Sequence, residues 1–585
     1  MSYDDEKPMV GSYQPAKTRR RCCVISVLAV ALAVLLVLAI AIPVAMKKER
    51  NENSTPEGIN NACVATSYPD DCRASLQGSD GTPLGMSKAA LYSADSHLAD
   101  VNSKTVDPDC KDLLETAREQ VQLAYQATGM TDPVQRNQTC ADVQTGLSAA
   151  LEGLETCKVG LTESGSSEAN TFPSDSLQAS KALSNSLALV NCLCLYGTDL
   201  SSWKDTLMNL PDNWNFNDLF GNGGTRRRLM NADFGMEGSS YEEVILPSWM
   251  DSATSRHLLA RPPAYNVIVA KDGTGKYKTV TEAINKAPAT GKKDAKRYII
   301  YVKKGIYDEQ IVIPKKCTNL MIIGDGIDLT IFTGARSVEG QKQQKMTTFG
   351  SGTLIVTGPG FIGKFFTVRN TAGAAGHQAV ACRVSADLTA FYRVKFDSYQ
   401  DTLYCHTFRQ FYRECIVSGT VDFMFGNGNA VFQQCQLIAK KTTLPGQQNT
   451  YTAQGRIDPH QNTGLAFQDC NFDGTNDLKR SVANYPTFLG RPWKKYSLCV
   501  LLRPTIQAHV DPKGWMPWNT STFGLYTSFF AEYQGKGPGS STRNRVKWSH
   551  QITDSKTANK YQAGSFINGK DWLPYANIPY DLKAV

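Results

Sequence analysis

The chain has 585 residues, 20% charged and 41% hydrophobic, a length and composition that exclude a single small domain and a disordered polymer. Its charge is divided: residues 1–260 hold 21 Lys+Arg against 32 Asp+Glu, and residues 261–585 hold 41 against 22. A basic half suits an acidic partner and an acidic half suits masking it; with no basic helix or nucleic-acid motif, nucleic acid is not that partner.

In chain order, a cytosolic basic tail (residues 1–23) ends in Arg19-Arg20-Arg21-Cys22-Cys23. The apolar run 24–46 follows, about 23 residues, enough to span a bilayer. The basic cluster ahead of it places the N-terminus in the cytosol. A transmembrane signal-anchor is the expectation, with a cleaved signal peptide as the alternative. Everything after Lys48 then enters the secretory pathway, where 14 of the chain's 16 cysteines are plausible disulfide partners.

From 60 to 210 the pattern is helical. Val143, Leu147, Leu151 and Leu154 form one helix stripe, as do Leu113, Leu114, Ala117 and Val121 earlier. An all-α four-helix bundle is expected. Residues 211–260 form a linker with two basic sites, Arg226-Arg227-Arg228-Leu229 and Arg256-His257-Leu258-Leu259, exposed to proteases.

The third region, 261–585, opens with Val267-Ile268-Val269 and the glycine turn Gly273-Thr274-Gly275. Ala270 and Tyr277 stand where a phosphate loop needs Gly and Ser or Thr, so this is a turn and not a nucleotide site. Short β-branched strands then follow without intervening long helices, so a parallel sheet must coil. Phe391-Tyr392-Arg393-Val394, Phe411-Tyr412-Arg413-Glu414 and Val431-Phe432-Gln433-Gln434 recur about every 20 residues, the signature of a solenoid coil. Asp401 and Asp422, about 21 positions apart, therefore stack on neighbouring rungs. Two carboxylates that close do not ionise together, which divides them into an acid and a base or nucleophile. Seven His without HExxH, and Cys192-Leu193-Cys194 without a second ligand pair, predict no metal; no cofactor is expected.

Gln378-Ala379-Val380-Ala381, Gln400-Asp401-Thr402-Leu403-Tyr404, Gly419-Thr420-Val421-Asp422-Phe423 and Leu489-Gly490-Arg491-Pro492-Trp493 resemble, in order and spacing, the motifs of plant pectin methylesterases. The similarity runs from about Val267 to Trp572. Cys63, Cys72, Cys110 and Cys157, with Leu183-Ser184-Asn185-Ser186, make the helical half similar to the pectin methylesterase inhibitor domain.

The resemblance implies a right-handed parallel β-helix behind an inhibitor-like bundle. It implies hydrolysis of methyl esters of homogalacturonan (pectin) to pectate and methanol in the cell wall. Asp422 is then the nucleophile, Asp401 the acid/base, and Gln378 and Gln400 the oxyanion donors. Arg491 orients Asp422, and Trp493 belongs to the sugar-binding wall. Phe425, Tyr404 and Trp515 are weaker candidates, because aromatics on such strands are more often core.

The inhibitor family pairs first cysteine with second and third with fourth; Cys140, Cys192 and Cys194 are additional here. Cys415 and Cys435, one coil apart, are expected to bridge, and Cys382 and Cys405 to be buried free thiols. The basic linker sites at Arg227, Arg228 and Arg256 resemble those cut by subtilisin-like proteases, and pectin methylesterase inhibitor proteins are implied partners. Two other classes stay open: a β-helix polygalacturonase-like glycosidase, against which stands the lack of Asn-Thr-Asp and Gly-His-Gly motifs, and a non-catalytic pectin-binding protein.

Overall fold

The computed structural model describes residues 56–129, 133–197, 199–200, 203, 265–289, 296–519 and 521–582. The apolar run 24–46 and the basic sites at Arg227, Arg228 and Arg256 lie outside the described residues. Among the described residues no helix is long and apolar enough to cross a membrane.

Two short helices, α1 (Pro56–Cys63) and α2 (Pro69–Ser75), precede four long ones: α3 (Pro83–Lys104), α4 (Pro108–Ala127), α5 (Pro133–Glu163) and α6 (Leu177–Tyr196). Their starts are written in sequence. Thr82 and Asp107 accept the first free backbone N–H groups of α3 and α4, and Pro stands at the first turn of each. The expected stripe of Val143, Leu147, Leu151 and Leu154 is buried, as is that of Leu113, Leu114, Ala117 and Val121. Disulfides join Cys63 to Cys72 and Cys110 to Cys157, the expected pairs. Cys140 and Cys194 form a third, and Cys192 is a buried free thiol.

The second half coils into three parallel sheets of 11, 7 and 8 strands, in which each strand pairs with its counterpart one coil away. The 20-residue repeat is the corner between the first and third of these sheets. Phe391, Tyr412, Phe432 and Phe467 stack inside it, with ring centroids 5.4, 4.5 and 4.7 Å apart in turn. The next turn passes through a left-handed residue on every coil: Arg393, Glu414, Gln434, Asp469, Arg503 and Gln534 all have φ between 49° and 54°. That conformation bends the chain sharply enough to start a new sheet, and side chains there point outward.

The expected Cys415–Cys435 bridge is absent: both are buried free thiols, in line with Cys470 one coil further. Parallel rungs hold equivalent Cβ atoms about 4.8 Å apart, more than the roughly 3.8 Å of a disulfide. Each sulfur instead lies against backbone carbonyls, Cys415 against Arg413 at 3.4 Å and Cys435 against Gln433 at 3.5 Å. Cys382 and Cys405 are buried free thiols as expected. Trp515 is core, fully buried and stacked 4.9 Å from Phe530.

The seven-stranded sheet carries the site. Its strands are β1 (Ile311–Ile313), β2 (Leu354–Val356), β3 (Cys382–Val384), β4 (Leu403–Cys405), β5 (Met424–Gly426), β6 (Asn449–Gln454) and β7 (Thr487–Pro492). Residues flanking each central position face the interior, so Arg383, Tyr404, Phe425, Ala453 and Arg491, in register on successive strands, face outward in one row.

Candidate active site

The two aspartates stand at the turns entering β4 and β5, one coil apart. Both adopt the left-handed conformation, φ 62° at Asp401 and 49° at Asp422. Asp tolerates that region better than most residues, and its use on adjacent rungs aims both carboxyls outward beside the row. Gly419 makes the preceding turn possible, since a Cβ there would lie 2.7 Å from the Tyr399 carbonyl oxygen. Asp401 and Asp422 are 7% and 4% exposed.

Their environments differ. Arg491 grips Asp422 with a two-pronged contact, Nε to Oδ1 at 2.8 Å and Nη2 to Oδ2 at 2.6 Å. Such a two-pronged fork is the strong form of charge-assisted hydrogen bonding. Burial works against the Arg491 cation, but the charge and hydrogen bonds of Asp422 outweigh it and raise its pKa. The ring of Trp518 lies 4.3 Å from the guanidinium carbon and backs its face. Asp401 has no such partner: burial, then the neighbouring Asp422 and the bundle's Glu163, push its pKa well above the usual carboxylate range. One carboxyl is paired with a cation, and its neighbour is pushed by burial toward the protonated form.

Gln378 and Gln400 pair through an isolated parallel bridge just upstream. Gln400 immediately precedes Asp401, and Gln378 is its counterpart one coil back. Tyr404 and Phe425 stack 4.3 Å apart, and Trp493 meets Phe425 edge-on at 6.0 Å. The structure therefore brings together Gln378, Gln400, Asp401, Asp422, Arg491, Trp493 and Phe425, and leaves Trp515 out. Among the described residues no cluster of His, Cys, Asp or Glu could hold a metal ion.

Residues 266–570 match the family described as Pectinesterase, and residues 57–189 match that described as Plant invertase/pectin methylesterase inhibitor. The chain belongs to the pectinesterase family. It is 38% identical over 540 residues to "Pectinesterase 2" of Citrus sinensis, covering 90% of this chain and 95% of that protein. It is 38% identical to "Probable pectinesterase/pectinesterase inhibitor 17" of Arabidopsis thaliana, covering 83% of this chain and 84% of that one. The solved structure "Pectin methylesterase from Carrot" aligns at TM-score 0.53 and 44% identity, covering 55% of this chain and 99% of that chain. This pectinesterase is thus a carboxylic ester hydrolase domain preceded by an inhibitor-like helical domain.

Several residues of the site are silent in the sequence. Thr145, Ser148, Glu152 and Thr156 recur at helical spacing on α5 and are all at most 5% exposed. Polar residues at helical spacing ordinarily mark a helix's solvent face. Each instead meets the pectinesterase domain. Asn462 Nδ2 donates to Thr145 Oγ1 at 3.1 Å and Ser148 Oγ donates to Asn462 Oδ1 at 3.2 Å. Asn427 Nδ2 donates to Glu152 Oε2 at 2.8 Å, and Thr156 Oγ1 lies 2.8 Å from His406 Nε2. On α6, Ser184 donates to Asp458 at 2.6 Å. Beside this polar stripe, Leu151 and Leu154 share one apolar cluster with Tyr404, Phe425 and Trp493. The signal that would have found the stripe is four polar residues at helical spacing with only one charge among them.

Proposed function

We propose that Asp422 attacks the methyl ester carbonyl of homogalacturonan (pectin) while Asp401 protonates the departing methanol. The carbon–oxygen bond to methanol breaks as the Asp422 acyl bond forms. Water, deprotonated by Asp401, then opens that acyl bond to leave pectate and a regenerated Asp422. Gln378 and Gln400 donate to the oxyanion. A neutral amide loses little when no substrate is present and gains when charge develops. Tyr404, Phe425 and Trp493 give the sugar faces an apolar wall.

The observation that carries this reading is the asymmetry of the pair: Arg491 grips Asp422 alone, and Asp401 lies buried beside it with no cation of its own. An inverting glycosidase needs room for a water between carboxyls about 6.5–9.5 Å apart, which adjacent rungs do not favour. The deciding experiment is methanol release from highly methylated pectin by residues 261–585 beside Asp422→Ala. Release by the first and none by the second is expected. Silence from both, with pectin still bound, favours a binding protein.

The helical half is then an autoinhibitory pro-domain. Its Leu151 and Leu154 pack on the aromatic wall that the polymer needs, and its carboxylates meet the domain's cations: Asp142 with Arg409 at 2.7 Å, Glu155 with Lys494 at 2.5 Å. Cutting by a subtilisin-like protease at Arg227, Arg228 or Arg256 frees the enzyme into the cell wall. The run 24–46 holds the precursor at the secretory membrane until that cut. Free pectin methylesterase inhibitor proteins are partners for the same face.

A further inference from the structure

The outward row of the groove sheet contains one cation that the chemistry above does not use. Arg383 is the central residue of β3, one rung from Tyr404 and two from Phe425. It is 6% exposed, yet neither Nε nor Nη1 has a hydrogen-bond partner. Its guanidinium lies flat on Phe349, the Cζ atom 3.2 Å from the ring centroid. Stacking satisfies the face of a guanidinium and leaves its edge, where the donors are, unanswered. A buried cation whose donors lack acceptors is costly, and burial accordingly pulls the Arg383 pKa down to about 10.

The pro-domain supplies a second observation. Asp109 and Asp112, at the start of α4, are the bundle charges that act on Arg383. Neither makes a hydrogen bond to it, though Asp112 pairs with Lys315 of the pectinesterase domain at 2.7 Å. The pro-domain thus lays acidic side chains over this end of the groove without completing the contact. The fork-shaped donor edge of Arg383 matches a carboxylate in both charge and geometry.

We propose that Arg383 is a carboxylate-recognition subsite, binding a galacturonate residue that has already lost its methyl ester while the ester to be cut lies at Asp401 and Asp422. It rests on the esterase reading and extends it: the polymer is held by its freed acid at Arg383 and hydrolysed at the aspartates one and two rungs away. Phe349 holds the guanidinium flat, so the sugar carboxylate meets the edge. A substrate that carries some free acid is then preferred, and successive cuts fall near earlier ones.

The test uses residues 261–585. This stretch has apolar clusters that no bundle residue enters and no disulfide to the bundle, and its carrot counterpart is a folded chain without one. Methanol release is measured on fully esterified and on half de-esterified oligogalacturonides. Arg383→Gln is expected to lower the ratio of kcat/KM on the second to that on the first by about tenfold, mainly through KM. Arg383→Lys, which keeps charge without the fork, falls between. An unchanged ratio in both variants overturns the subsite.

A binding arm separates this outcome from failure of the esterase reading. Unesterified oligogalacturonate is titrated into Asp422→Ala with and without Arg383→Gln. About tenfold weaker binding in the double variant supports the subsite even if no methanol is ever released. Equal binding by the two overturns it.

Discussion

Thr450 and Asp422 hold each other in both directions: the Asp422 N–H donates to Thr450 Oγ1 at 2.8 Å, and the same hydroxyl donates to Asp422 Oδ1 at 2.6 Å. Thr450 is the next rung's counterpart of Asp422 and is 1% exposed. The pair fixes the strained turn and the carboxylate together, while Arg491 grips both oxygens of the same carboxylate. Thr450 is therefore a positioning residue for the nucleophile. Thr450→Val should lower kcat for methanol release by about 10- to 100-fold while KM stays unchanged. Thr450→Ser should restore kcat. A variant with unchanged kcat would leave Thr450 a packing residue only.

Asp401 sets a conflict between activity and stability. Its pKa in the fold is raised by burial, by Asp422 and by Glu163, so its contribution to stability is complete below the ordinary carboxylate range and is lost as pH rises through the elevated value. Asp401→Asn removes the titration. The variant should release no methanol, yet its Tm should exceed that of the parent by a margin that grows from pH 4 to pH 8. A constant or shrinking margin would contradict the protonated Asp401.

The contact between bundle and enzyme should weaken as pH rises. Burial pushes Glu152 up to about 8, against the pull of Asn427. In the separated bundle it regains the ordinary carboxylate value. The closed form is therefore favoured fully at acid pH, and that advantage is lost as pH climbs toward 8. Glu155, whose burial is outweighed by Lys494 and Lys158, acts in the opposite sense, as does His406, kept neutral by burial and by Arg383. Methanol release by the full chain, relative to residues 261–585, should rise between pH 5 and pH 8 and flatten in Glu152→Gln. An unaltered slope in that variant would assign the effect elsewhere.

The Cys140–Cys194 bridge closes a separation of 54 residues and ties α5 to α6. Loop entropy assigns it about 4 kcal/mol. Cys194→Ser should destabilise the bundle and so raise methanol release by the full chain, while residues 261–585 alone are unaffected. Unchanged release by the full chain would show that the bridge does not govern closure.

Much of the site was legible because a solenoid converts sequence spacing into space. Asp401 and Asp422 needed only the 20-residue period to be placed on adjacent rungs, and Gln378 and Gln400 only their motifs. Thr450 was not legible. It lies 28 positions beyond Asp422, past a coil lengthened by the loop at 440–448, and a lone Thr in a strand has no distinguishing chemistry. The Cys415–Cys435 pair failed for the opposite reason: the period was right, but it also fixed a spacing too wide for the bond.

The sequence by itself determined the coil, the pair of aspartates and the opposed charges of the two halves, because these depend on period, residue type and count. Tertiary structure decided what the helical half does with its polar stripe. Thr145, Ser148, Glu152 and Thr156 lie against the pectinesterase domain. Whether a polar side chain faces water or a partner depends on what is packed against it, and helical periodicity records only which face it occupies. The same holds for Arg383, whose unanswered donors become visible only once burial has removed the water that would satisfy them.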